Sequence, residues 1–227
     1  MYRKTVWWLM AVWLLTGFTQ AAEPVGTDDL SPRSLVQSAY RASKSLNAYT
    51  CKLTNITRHR GADGRYNAEK RNVLAYAFRK PGQIRMRWIE PRLKRGQVAV
   101  YNHKVLHVSR WWWPFALKVD PDSPTGKDDF HHPIYRSDLA SLMGIVVQDM
   151  VKVTEEAYEG QVAVGKRRGH RVVLYTAKKR VVLTIDTEHL LPLAIEQYDR
   201  ESGLLFDGGY FEDLKLNPPL EDSLFDL

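Results

Sequence analysis

Gln83-Ile84-Arg85-Met86-Arg87-Trp88-Ile89-Glu90 alternates residue by residue. Ile84, Met86 and Trp88 fall on one side, and Gln83, Arg85 and Arg87 on the other. Successive side chains leave a β-strand on opposite faces, so this stretch reads as a strand with one apolar and one cationic face.

The same period extends outward in both directions. Upstream, Tyr49 to Arg60 and Arg65 to Arg79 flank Gly61-Ala62-Asp63-Gly64, whose residues accept positive φ and predict a hairpin. Pro81-Gly82 turns the chain into the quoted strand. Downstream, the basic turn Pro91 to Gly96 leads to Gln97 to Tyr101, and Asn102-His103-Lys104 reverses the chain into Val105 to Trp113. Pro114 to Pro133 is rich in Pro, Asp and Gly and reads as a long loop of the kind that forms rims and lids. Strand patterns return at Gln161 to Gly165, His170 to Thr176, Arg180 to Asp186, Leu191 to Asp199 and Leu204 to Leu216, joined by short turns. This predicts an α+β, mainly β, fold: a large curved antiparallel sheet of roughly ten strands, too wide to stay flat.

Helical spacing occurs in two places. Ser31 and Pro32 supply an N-cap and a first helical residue, followed by Leu35, Val36, Ala39, Tyr40 and Leu46, which predicts a helix over Pro32 to Leu46. Ser137 or Asp138 can cap a second, short helix containing Leu139, Leu142, Met143, Val146 and Val147, whose apolar side is unusually wide.

Arg3 and Lys4 precede an apolar run from Thr5 to Phe18, and Thr19-Gln20-Ala21 offers a small-residue exit before Ala22. Residues 1–21 therefore read as a secretory signal peptide, 22–31 as a disordered mature N-terminus, and 32–227 as a single domain. No cysteine follows the apolar run to carry a lipid, so the expectation is a periplasmic, unanchored protein. Cys51 is the sole cysteine and excludes an intramolecular disulfide. The formal charge of +7 falls to about +5 without Arg3 and Lys4. Export excludes nucleic acid as the reason for that excess and leaves an anionic membrane surface, an acidic protein or an acidic glycan.

No nucleophile elbow, phosphate loop or dinucleotide fingerprint is present. His131-His132 point apart on an extended chain and lack spaced partners, so no metal is expected. These readings predict a non-enzyme without cofactors.

The order of segments carries a resemblance. Phe78 through Met86 with its Lys80-Pro81 turn, Glu90-Pro91, Gly96 through Asn102, Val105 through Val108, Leu183 through Asp186, Leu191-Pro192-Leu193 and the closing Phe211 through Pro218 with Leu224-Phe225 resemble the LolA/LolB-type periplasmic lipoprotein carriers. The match looks like an uncharacterised domain-of-unknown-function branch of that superfamily. It implies a half-open β-barrel covered by two or three helices, with a cavity for acyl chains. It further implies an exported carrier of lipids or lipid-modified proteins, acting as a monomer with transient membrane-surface contact. Cavity candidates are Ile84, Met86, Trp88, Val98, Val100, Leu142, Met143 and Val146. In the classical carriers an arginine precedes the turn proline and latches the lid; here Lys80 holds that place and Arg79 lies one residue earlier. Arg79, Lys80, Arg85 and Arg87 are accordingly the candidates for lid latch or head-group contact.

Trp111, Trp112, Trp113 and Phe115 are candidates for a cavity rim or membrane contact, since amphipathic rings favour that boundary. Two other uses of the same scaffold stand beside the carrier: an envelope protein-interaction or sensor module, and a glycan-binding protein stacking sugars on Trp111 to Trp113. The basic cluster Arg85, Arg87, Arg92, Lys94 and Arg95 suits anionic head groups or an acidic partner. Lys166-Arg167-Arg168 and Lys178-Lys179-Arg180 read as charged hairpin turns that aid solubility.

Overall fold

The structure, a computed structural model, describes residues 31–110, 115–127 and 133–227. The expected signal peptide, the expected mature N-terminus as far as residue 30, Trp111 to Trp113 and His131-His132 lie outside them.

Eleven strands form one sheet: β1 (Ala48–Thr57), β2 (Lys70–Arg79), β3 (Gln83–Glu90), β4 (Val98–Asn102), β5 (Val105–Ser109), β6 (Leu117–Val119), β7 (Glu155–Val164), β8 (Arg167–Tyr175), β9 (Lys179–Asp186), β10 (Pro192–Asp199) and β11 (Leu205–Leu216). Their spatial order is β6-β5-β4-β3-β2-β1-β11-β10-β9-β8-β7, antiparallel throughout, with β6 and β7 as edges of an unclosed sheet. Two meanders are thus welded where β1 pairs with β11, residues Tyr49 and Leu216 facing each other. The mainly β architecture with an open antiparallel sheet is as expected. The strand β6 is an addition, lying inside the predicted loop.

Two helices cover one face. The first, α1 (Pro32–Ser45), starts where Ser31 Oγ accepts the N–H of Ser34 at 3.3 Å, with proline in the first turn. The second, α2 (Leu139–Asp149), starts at Asp138, whose Oδ1 accepts the N–H of Ala140 at 2.9 Å and of Ser141 at 3.1 Å. Leu35, Val36 and Ala39 of α1 pack with Met143 and Val146 of α2 over Val172, Leu174, Val181, Leu183 and Ile185 of β8 and β9. The neighbouring cluster joins Tyr49, Cys51, Leu53, Leu74, Tyr76, Phe78, Ile84 and Met86 with Leu139. A third, smaller cluster lies on the outer face, where Phe225 covers Ala77, Val98 and Val100.

Candidate functional site

The helix α2 carries no charged residue from Leu139 to Gln148. Leu139, Met143 and Val146 are buried, yet Leu142, Ile145 and Val147 remain only half-buried, and Val151 just beyond is 86% exposed. A helix that is apolar all round is normally enclosed on all sides. Here one side meets the sheet and α1, while Leu142, Ile145 and Val147 retain apolar surface.

Polar clasps hold both ends of α2. At the start, the N–H of Leu139 donates to Tyr49 Oη at 2.9 Å, and Ser137 Oγ lies 3.2 Å from Tyr76 Oη. The two tyrosine rings stack at 5.7 Å. Burial, above all, raises the pKa of both phenols, with mutual proximity adding to it for Tyr49, so both keep their protons and serve as neutral hydrogen-bonding groups. At the other end, Lys179 Nζ reaches Asp149 Oδ2 at 2.8 Å and Gln197 Oε1 at 2.7 Å, while Lys152 Nζ meets Asp149 Oδ1 at 2.8 Å. Burial alone would raise the Asp149 pKa, but hydrogen bonds from Lys152 and Lys179 outweigh it and hold the carboxyl below its ordinary value.

Between the latter half of α2 and β8 to β10 lies a hollow of about 20 Å³, lined by Ile145, Val146, Asp149, Leu174, Lys179 and Gln197 among others. That is room for about one water molecule. Side chains, not space, occupy the interface beneath the helix.

One tip of the sheet is distinctive. A 3-10 turn, Arg92–Lys94, joins β3 to β4 and holds Leu93 88% exposed, with Arg92, Lys94 and Arg95 exposed around it.

No protein-family model matches the sequence, and no curated protein matches it. Solved structures do. Lipoprotein LppX of Mycobacterium tuberculosis matches with a TM-score of 0.55 at 9% identity, over 84% of this chain and 97% of that one. MucB matches with a TM-score of 0.53 at 11% identity, over 86% of this chain and 62% of that one. A LolA superfamily protein of Nitrosomonas europaea matches with a TM-score of 0.42 at 13% identity, over 88% and 99% of the two chains. This chain shares its fold with LppX and MucB. At such identities the likeness concerns architecture alone, and function rests on the site.

Within this fold, Ile84, Met86, Trp88 and Leu142 share one cluster on the helix-bearing face, with Trp88 and Leu142 at its half-buried margin. Met143 and Val146 lie in the adjoining cluster. Val98 and Val100 do not join them. Val98 pairs with Arg87 and Val100 with Arg85, which places both valines on the outer face beneath Phe225. The reason is register: Ala99, not its neighbours, shares the face of Met86.

The latch candidates also separate. Arg79 and Arg85 project from the outer face and bind residues 220–225 rather than α2. Lys80 Nζ donates to the carbonyl of Lys44 at 2.6 Å, capping the end of α1. Arg87 is exposed on the outer face. The clasps on α2 come instead from Tyr49, Tyr76 and Lys179, the last meeting Asp149 of the helix; the sequence reading named only Lys179, and as part of a turn that aids solubility. Phe115 is 61% exposed, whereas its companions Trp111 to Trp113 fall outside the described residues. Arg167 is no solubility residue either: it reaches the buried Asp186 Oδ2 at 2.8 Å and the carbonyl of Leu214 at 3.1 Å.

Among the described residues no group of three or more metal-ligating side chains converges.

Proposed function

We propose that this protein is an exported binding or carrier protein for the acyl chains of lipids or lipid-modified proteins in the bacterial envelope. The carrying observation is α2 itself: a helix without charge from Leu139 to Gln148, lying over an apolar sheet face and fastened by polar contacts at its two ends. The hollow under the latter half of α2 is too small for a chain, so binding there requires α2 to swing away and expose Leu142, Ile145, Met143 and the sheet residues beneath. The exchange is favourable in sign, because each methylene taken from water contributes about 0.8 kcal/mol. Binding rather than catalysis is the role this arrangement supports.

The Arg92-Leu93-Lys94-Arg95 tip suits contact with an anionic membrane, where an apolar residue enters the interface and each nearby cation adds about 1 kcal/mol. Together, a tip that touches bilayers and a helix that opens make a pick-up device.

Native mass spectrometry of protein purified gently from its own envelope tests the reading. Adducts with the mass of lipids or lipoproteins are expected. Protein that stays adduct-free, and that takes up no fluorescent fatty acid when α2 is unclasped, would refute it.

A second reading has one supporting fact. MucB, which shares this fold over 59% of its chain, has been solved in complex with MucA(peri). Recovery of a stoichiometric protein partner in place of lipid would favour it.

A further inference from the structure

The outer face of β2 to β4 is covered by residues 218–227. Asn217, at φ 46°, ends β11, and its Oδ1 accepts the N–H of Asn47 at 3.0 Å and of Ala48 at 3.1 Å. Pro218-Pro219 follow, and with φ confined they aim the chain across the sheet. The segment then makes no strand pairing; its last structured part is a 3-10 turn at Asp222–Phe225.

What holds it is unusual in kind. Arg79 Nη1 donates to the carbonyl of Leu220 at 2.9 Å, and Arg85 Nη1 to that of Leu224 at 2.8 Å. Asn102 Nδ2 reaches the carbonyl of Phe225 at 3.5 Å. Arg79 also pairs with Asp222 at 2.7 Å, and its guanidinium lies 4.8 Å from the Phe225 ring centre. Phe225, 1% exposed, fills a pocket of Ala77, Val98 and Val100.

The receiving groups also brace one another. Arg79 Nε donates to Gln83 Oε1 at 2.8 Å, and Gln83 Nε2 to Asn102 Oδ1 at 3.0 Å. Burial first, and Arg87 second, lower the Arg85 pKa. The segment supplies three carboxylates, Glu221, Asp222 and Asp226. An open cleft of about 420 Å³ persists beside it, between Arg85 and Pro219, Leu220, Glu221, Ser223 and Leu224.

Main-chain carbonyls read by braced donors, one aromatic anchor in a buried pocket and an aspartate paired with an arginine are the elements of peptide recognition. We infer that the outer face of β2 to β4 is a peptide-binding groove, occupied in cis by residues 218–227 and open in trans to an acidic, aromatic-anchored peptide of a partner protein. The groove lies on the opposite side of the sheet from α2 and stands independently of any acyl ligand.

Fluorescence anisotropy with a labelled peptide of residues 218–227 tests this on the full chain. Phe225→Ala, which frees the anchor pocket, is expected to bind the peptide saturably. The wild type should bind it at least about tenfold more weakly, because a tethered segment competes at millimolar effective concentration. Adding Arg85→Ala to Phe225→Ala should weaken binding by about tenfold, and a peptide with lysine at its three acidic positions should not bind. Phe225→Ala that keeps the wild-type circular dichroism spectrum yet ignores the peptide would overturn the inference, as would equal binding of the lysine peptide. A concentration-dependent wild-type dimer abolished by Phe225→Ala would identify the occupant as a second copy and overturn the partner form.

Discussion

Tyr49 Oη accepts the backbone N–H of Leu139 at 2.9 Å across 90 residues of sequence, so the first residue of α2 is pinned by the second residue of β1. The four leading N–H groups of a helix have no partner within it, and Asp138 serves those of Ala140 and Ser141. Tyr49 serves a third. Tyr49→Phe keeps the ring but leaves a buried N–H without its acceptor, which costs about 1–3 kcal/mol. A lowered melting temperature and faster amide exchange in α2 are expected. Unchanged exchange at Leu139 to Met143 would show that the phenol does not secure the helix.

At the opposite end, Lys179→Met removes the contacts to Asp149 and Gln197 while retaining much of the stem. This variant should take up a fluorescent fatty acid faster than the wild type. Equal rates would place the gate elsewhere.

The same clasp predicts a pH dependence. The folded Asp149 titrates below its ordinary 3.8, so its contribution is fully present above that value and disappears as pH falls through the folded pKa. The difference in melting temperature between wild type and Lys179→Met should therefore be constant from neutrality to about pH 5 and close below it. A gap undiminished at pH 2 would assign the effect to packing and the Gln197 contact in place of Asp149.

Burial pushes the Cys51 thiol up to about 12. The thiolate is the reactive form, so a thiol reagent at pH 8 should label the protein only as it unfolds. Rapid labelling of native protein would contradict the packing of β1.

Leu93→Ser touches an 88% exposed side chain and should leave the melting temperature within about 1 °C while reducing sedimentation with anionic vesicles. Vesicle binding equal to wild type would remove the tip from the membrane contact.

Much of the fold was legible because strand and helix periods are local. The segment Gln83 to Glu90 is β3 to the residue, and Asp138 caps α2 as its position before an apolar run suggests. The three-residue strand β6 was not legible: Leu117–Val119 sits in a Pro-, Asp- and Gly-rich stretch and owes its form to pairing with β5. Val98-Ala99-Val100 carries no alternation, since all three residues are buried, two on one face and one on the other. No reading of that run alone assigns its faces.

Sequence alone determined the mainly β class, the positions of both helices, the greasy and cationic faces of β3 and the carrier-like order of segments. Each follows from side-chain spacing within a few residues, which fixes which way a strand or helix points its apolar groups. Tertiary structure decided which cations clasp α2, that Arg79 and Arg85 hold residues 220–225, and that Val98 and Val100 lie beneath Phe225. Those contacts join residues as much as 141 positions apart, and sheet register, which no local pattern encodes, brings them together.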